Sequence, residues 1–250
     1  MKVLITGASS GIGRDMARYL SGKGFDLILT ARNTQKLEAL QKTLKTNVEI
    51  ISSDLSEENA PFLLYKKCRS KNIDFLINNA GYGIFGEFDK TDILDELDMI
   101  NVNIRAMHIL TKLFLRDFKR RNYGMILNVA SSAGFMTGPL MSSYYATKNY
   151  VLRLSMAIYE ELRRSGSNVK ISVFCPGPVD TNFNNRAGVS FSVKSISSEY
   201  AAKYAIDKCL SGKALIIPSV QMKLGVFGTR LVSQKLMSAI TYNIQHNKRK

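Results

Sequence analysis

With two histidines and three cysteines, this 250-residue chain has few groups able to hold a transition metal. The cysteines, Cys68, Cys175 and Cys209, are odd in number, widely spaced and without a C-x-x-C pair. That pattern reads as reduced, buried thiols in an intracellular protein. His108 and His246 do not stand at spacings that would complete a zinc site with them, so no metal is expected. No apolar run of membrane-spanning length is present; the most apolar late segment, Ala214 to Val232, is broken by Lys223 and Arg230 and carries two glycines. The first strand-like run begins at Lys2, which leaves no room for a signal or transit peptide, and the expected location is cytoplasmic. There is also no internal repeat, low-complexity tract or linker. One domain over 1–250 is expected, with the ordinary globular composition of 45% hydrophobic and 22% charged residues.

Acidic residues stop at Asp207, whereas Lys208, Lys213, Lys223, Arg230, Lys235, Lys248, Arg249 and Lys250 follow it. The whole chain carries a formal charge of +15. Basic residues interleaved with aromatics in a recognisable nucleic-acid module are missing, so no nucleic-acid partner is expected. The charge reads as solubility and attraction for an anionic small molecule. The stretch 219–250 reads as a basic, amphipathic tail in which Leu224, Phe227, Leu231, Leu236 and Ile240 recur at helical spacing. Packing within the protein is the expected use of that face; packing on a partner subunit, closing the pocket and resting on a membrane surface are the alternatives, the membrane contact not favoured.

What is there is an alternation of short apolar runs with longer amphipathic ones. The predicted strands are Val3 to Thr6, Asp26 to Ala31, Val48 to Ser52, Phe75 to Asn78, Met125 to Ala130, Lys170 to Cys175 and Leu215 to Ile217. They are apolar throughout, as strands covered on both faces are. The predicted helices are Gly11 to Ser21, Thr34 to Leu44, Ser56 to Cys68, Ile93 to Arg121, Tyr144 to Arg164 and Glu199 to Leu210, with Asn33 and Ser56 placed as N-caps. The fold class is therefore α/β, a Rossmann-like, doubly wound parallel sheet of about seven strands with helices on both faces.

Between the first strand and first helix stands Thr6-Gly-Ala-Ser-Ser-Gly-Ile-Gly13. A pyrophosphate needs backbone N–H donors at a helix N-terminus and glycines that permit close approach, and Gly7, Gly11 and Gly13 supply those positions. At the end of the second strand, where an acid would hold a ribose 2′-hydroxyl, Ala31 removes the acid and Arg32 offers a planar donor for a 2′-phosphate. Arg14 is a second candidate phosphate contact.

Tyr144 and Lys148 stand four apart, on one helix face. A phenol has a reference pKa of about 10, and a neighbouring ammonium is expected to lower it toward the range useful for proton transfer. The same spacing recurs at Tyr19/Lys23 and Tyr204/Lys208, but only Tyr144 has a strand-end hydroxyl, Ser131, thirteen residues before it. Asp54-Leu55, Asn78-Asn-Ala-Gly81, Asn103 and Pro176-Gly-Pro-Val-Asp-Thr181 complete an ordered set of motifs. From residue 2 to about residue 218 the chain thereby resembles the shorter, single-domain branch of the short-chain dehydrogenase/reductase family.

The resemblance implies an NADP(H)-dependent oxidoreductase of carbonyl-reductase type, moving a hydride between the nicotinamide and a carbonyl or alcohol substrate. It implies that Tyr144 exchanges the proton, Ser131 bonds the substrate oxygen, Lys148 holds the nicotinamide ribose and Asn103 holds a water linked to Lys148. Around the cofactor it implies contacts from Gly7, Ser9, Ser10, Gly11, Ile12, Gly13, Arg32, Asp54, Leu55, Asn79, Ala80, Gly81, Pro176, Gly177, Val179 and Thr181, besides Tyr144 and Lys148. A homodimer or homotetramer is the implied assembly. Asn182 to Ser197, with Phe183 and Phe191, falls where the family places a substrate lid; Tyr82, Phe85, Phe135, Met136 and Met141 fall near the pocket mouth and imply an apolar substrate. The alternative function is a non-catalytic NADP(H)-binding sensor or scaffold, which retention of Tyr144, Lys148, Ser131 and Asn103 makes the weaker reading.

Overall fold

Strands that lack polar alternation do so here because each of their faces meets a layer of helices. The computed structural model describes residues 1–181 and 195–246. In β1 (Lys2–Thr6) and β2 (Asp26–Ala31), Val3, Ile5, Leu27 and Leu29 enter one hydrophobic layer, whereas Leu4 and Ile28 enter the other. β3 is Val48–Ser52. In β4 (Phe75–Asn78) and β5 (Met125–Val129) the same division separates Phe75, Ile77 and Leu127 from Leu76 and Ile126. β6 (Lys170–Phe174) is followed by a separate short parallel pair, β7 (Val179–Asp180) with β8 (Ile196–Ser197), and then by β9 (Leu215–Ile216). The main sheet has seven strands in the order β3-β2-β1-β4-β5-β6-β9, each pairing parallel.

On one face lie α1 (Gly11–Gly22), α2 (Thr34–Gln41) and α7 (Ser198–Leu210). The other face is covered by α3 (Ala60–Cys68), α5 (Met107–Arg120) and α6 (Ser142–Arg164). Strand order reverses between β1 and β4, and a crevice opens there at the carboxyl ends of the strands. A buried polar network fastens the strands beside it. Asn78 Nδ2 donates to Thr111 at 3.0 Å and to Asn128 Oδ1 at 2.9 Å, and Asn128 Nδ2 donates to Ser155 at 3.0 Å. Asn78 thus joins β4 to side chains of β5 and α5, instead of mainly serving backbone groups at its strand end.

Most predicted elements fall within a residue or two of the observed ones, and the departures have local causes. Asn33 caps α2 as expected, accepting the Lys36 N–H at 2.9 Å. Ser56 caps nothing. Its N–H and hydroxyl both donate to Asp54 Oδ1, closing a tight turn, and α3 begins only at Ala60, with Pro61 in the first turn where no N–H is needed. The long helix expected over Ile93 to Arg121 is α4 (Ile93–Ile100), a π-helical turn over Asn101–Ala106, and α5. The apolar tail stripe is turned outward. The tail forms α8 (Val220–Gly228) and α9 (Gln234–His246); Val226, Met237, Thr241 and Gln245 face inward, while Leu224, Phe227, Leu236 and Ile240 on the helices and Leu231 between them are exposed. The inward face of α9 is partly polar because it meets the mouth of the crevice, where Gln245 finds a hydroxyl partner.

Candidate active site

The crevice is a cleft of about 520 Å³ running from Arg32 at one end to Tyr144 at the other. Gly7 and Gly11 adopt φ values of 66° and 52°, which other residues rarely do, and this turns the chain sharply into α1. Ser10 precedes the helix without a side-chain capping bond, so the first N–H groups of α1 face the cleft for an anion. The loop after β4 is tied to this one through Thr6, whose hydroxyl accepts from the N–H groups of Asn79 and Ala80, both at 3.0 Å. Asn79 Nδ2 in turn donates to the carbonyls of Thr6 and Gly7. A Cβ on Gly81 would come within 2.9 Å of Asn103 Oδ1 and 3.2 Å of Lys148 Nζ. These contacts lock the two loops together beside the cleft, and the glycines and free helix N-terminus that line it fit a dinucleotide.

At the other end, Ser131 follows β5 and its hydroxyl accepts the Ala133 N–H at 3.2 Å. It is also hydrogen-bonded to the Tyr144 phenol. Lys148 is buried, and its Nζ donates to the Val129 carbonyl at 3.0 Å. Burial pushes the Lys148 ammonium down to about 8. Burial also holds the Tyr144 phenol well above its usual range, with the Ser131 bond opposing. The expected lowering of Tyr144 by Lys148 is thus reversed. The ammonium lies 5.8 Å from the ring centroid, and desolvation penalises either group's charge more than their separation compensates.

Nearly all the sequence-predicted cofactor residues line this cleft: Gly7, Ser9, Ser10, Gly11, Ile12, Arg32, Asp54, Leu55, Asn79, Ala80, Gly81, Pro176, Gly177, Val179 and Thr181, with Ser131, Tyr144 and Lys148. One predicted cofactor residue, Gly13, and one predicted catalytic residue, Asn103, stand behind the wall instead. Gly13 is where α1 crosses the loops, and an added Cβ would overlap the Gly7 carbonyl oxygen and the Asn79 side chain. Asn103 is buried in the π-helical turn. Its Nδ2 donates to the Tyr82 carbonyl at 2.9 Å and to Thr147 at 3.0 Å, and its Oδ1 accepts the Tyr82 N–H at 3.1 Å. Its side chain fastens the wall to α6. Gly13→Ala is expected to lower stability by about 1–3 kcal/mol, the usual cost of overpacking; urea unfolding of the two proteins measures it, and an unchanged midpoint would contradict the packing.

Arg14 is not among the residues lining the cleft, and its guanidinium makes a two-bonded pair with Asp15 at 2.8 and 3.0 Å. Buried Asp15 also takes the Ser198 hydroxyl, joining α1 to α7. Tyr82 and Met141 line the cleft as expected, whereas Phe135, the last residue of a 3₁₀ turn over Ser132–Phe135, packs against the core and Phe85 lies among Met99, Met141 and Tyr144. Phe183, Phe191 and most of the expected lid lie outside the described residues. Lys36 and Gln245 are among the cleft residues that the sequence reading did not anticipate. Lys36 joins Arg32 at the far end; its place one turn into α2 was a readable signal. Tyr145 and Gln245 close the near end, with Gln245 Nε2 donating to the Tyr145 hydroxyl at 2.5 Å. No local pattern announces a glutamine arriving from a hundred residues away.

Residues 1–189 match the family model for short chain dehydrogenases. An uncharacterized oxidoreductase of Staphylococcus epidermidis is 32% identical over 181 residues, covering 71% of this chain and 77% of that protein. A short-chain dehydrogenase from Sphingobium yanoikuyae, solved in complex with NADPH, superposes with a TM-score of 0.83 at 30% identity, covering 94% of each chain. The bulky-bulky ketone specific alcohol dehydrogenase from Comamonas testosteroni gives a TM-score of 0.79 at 25% identity, covering 94% of this chain and 93% of that one. The chain belongs to the short-chain dehydrogenase/reductase family of oxidoreductases.

Proposed function

We propose that this protein is an NADP(H)-dependent carbonyl reductase acting on apolar ketones or aldehydes. The observation that carries the reading is one cleft holding a Tyr144 phenol bonded to Ser131, with Lys148 beside them and Arg32 at the opposite end. The glycine loop and the first N–H groups of α1 would hold the pyrophosphate, Asp54 and Leu55 the adenine, and Arg32 with Lys36 the 2′-phosphate. Val179 and Thr181 would hold the nicotinamide amide. When bound, the nicotinamide supplies or accepts the hydride.

The chain's own residues then have separable tasks. Ser131 and Tyr144 both donate hydrogen bonds to the substrate oxygen, stabilising the negative charge that grows on it during reduction. Tyr144 transfers its proton to that oxygen, and its raised pKa keeps the proton in place until then. Lys148 offers donors to the nicotinamide ribose and a positive charge beside the forming tyrosinate. Asn103 positions the Tyr82 segment against α6, so the wall and the catalytic helix keep one spacing. Tyr82, Met141 and Tyr145 present apolar surface to the substrate, in keeping with the ketone substrate named for the Comamonas testosteroni neighbour. A homodimer or homotetramer fits the outward-facing Ile93, Leu94 and Leu97 of α4.

Titration of the purified protein with NADPH and with NADH, followed by a screen of bulky apolar ketones and aldehydes, tests the proposal. Tighter NADPH binding and loss of nicotinamide absorbance on such a carbonyl are expected. Failure to bind either nucleotide would overturn the reading.

A further inference from the structure

The tail helices are held to the body by one face and leave the other unpartnered among the described residues. In α8, Val226 points inward and Met222 packs beside Gly177, while Leu224 is 68% and Phe227 58% exposed. Leu231, between the helices, is 76% exposed, and on α9 Leu236 and Ile240 stand one turn apart, also outward. Large aliphatic and aromatic side chains repeated over two consecutive helices exceed the scattered apolar exposure of an ordinary surface. A helix docked through Met237, Thr241 and Gln245 cannot rotate to hide Leu236 and Ile240 without withdrawing Gln245 from Tyr145.

We propose that the outward face of α8 and α9 docks on an anionic phospholipid surface. Charge decides between that occupant and a second copy of the chain. From Ser219 to the end there are six basic residues, Lys223, Arg230, Lys235, Lys248, Arg249 and Lys250, and no Asp or Glu. A two-fold contact through this face would bring like charges together without an acid to answer them. An anionic bilayer answers both properties: its headgroups attract the lysines and arginines, and its acyl boundary takes up the leucines and the phenylalanine. No described helix is long and apolar enough to cross a membrane. α9, with 13 residues, is about 20 Å long and would lie in the plane of the interface.

The experiment is sedimentation of the full chain with vesicles of phosphatidylcholine alone and of phosphatidylcholine mixed with phosphatidylglycerol. Partition onto the mixed vesicles, weakened by added salt, is expected. Arg230→Gln and Lys235→Gln are each expected to weaken it about fivefold, and Phe227→Glu or Leu231→Glu about tenfold or more. These positions lie outside the cleft, so unchanged NADPH binding by the variants serves as the folding control. Absence of binding to the mixed vesicles, or binding unaltered by Leu231→Glu, would overturn the proposal. An oligomer in solution that Leu231→Glu dissociates, with no vesicle binding, would assign the face to a second copy.

Discussion

Tyr144→Phe is expected to lower turnover by about two to four orders of magnitude, the usual scale of a positioned acid, while NADPH affinity stays within a few fold. The substitution removes one oxygen and leaves the ring. That ring packs with Met99, Ala133 and Met141 and sits edge-on to Tyr145 at 6.0 Å, so the pocket wall keeps its shape. Ser131 retains the Ala133 N–H and loses only its bond to the phenol. What disappears is the proton and one of two donors to the substrate oxygen. Steady-state kinetics on a carbonyl that the wild type consumes, together with an NADPH titration, separates the two effects. Turnover retained to within tenfold would remove Tyr144 as the acid and leave Ser131 or a solvent proton to be considered. Tyr19→Phe is the matched control, because Tyr19 also has a lysine four residues on yet donates its hydroxyl to Asp207 at 2.7 Å, away from the cleft.

The three Tyr-x-x-x-Lys pairs show what could be read from the chain and what could not. Lys23, Lys148 and Lys208 each lie over the ring of their tyrosine, at 4.9, 5.8 and 5.7 Å. Local geometry is therefore common to all three, and the spacing alone reports only a helix. Ser131 and the strand that delivers it distinguish Tyr144, and both were visible because strand ends are announced by apolar runs stopping at small polar residues. The sheet was legible for the same reason: both faces are buried, so its strands are uninterrupted hydrophobic runs. Two kinds of feature escaped. Signs that depend on desolvation, such as the raised Tyr144 and lowered Lys148 pKa values, require knowing how deep the groups lie. Long-range partners, such as Gln245 for Tyr145 and Asp15 for Arg14, need the fold before they can be paired. The tail shows a related limit: the apolar spacing read as a single helix falls on two helices with Leu231 between them, and the outward direction of those side chains could not be read without the fold.

Arg32→Ala is the substitution expected to change cofactor choice. Ala31 leaves no carboxylate at the end of β2, and Arg32 and Lys36 both line that end of the cleft, on either side of Asn33. A 2′-phosphate placed there would receive charge-assisted hydrogen bonds from a planar guanidinium, each contributing roughly 1.5–3 kcal/mol. Loss of Arg32 should therefore raise the NADPH dissociation constant by about 10- to 100-fold, while NADH, which offers only a ribose hydroxyl, shifts by much less. Arg32 also lies 3.6 Å from Asp54, but both side chains are substantially exposed, so that pair adds little to stability and its loss should not disturb the fold. Asp54 keeps its bonds from Ser56 in the variant and holds the turn before α3. Lys36→Ala should act in the same direction with a smaller effect, because an ammonium on a flexible stem at an exposed position holds the phosphate less rigidly. Fluorescence titration of both variants with both nucleotides measures this. If Arg32→Ala weakened NADPH and NADH equally, Arg32 would be serving the Asp54 turn and the shared adenosine half, and selectivity would rest on Lys36 alone.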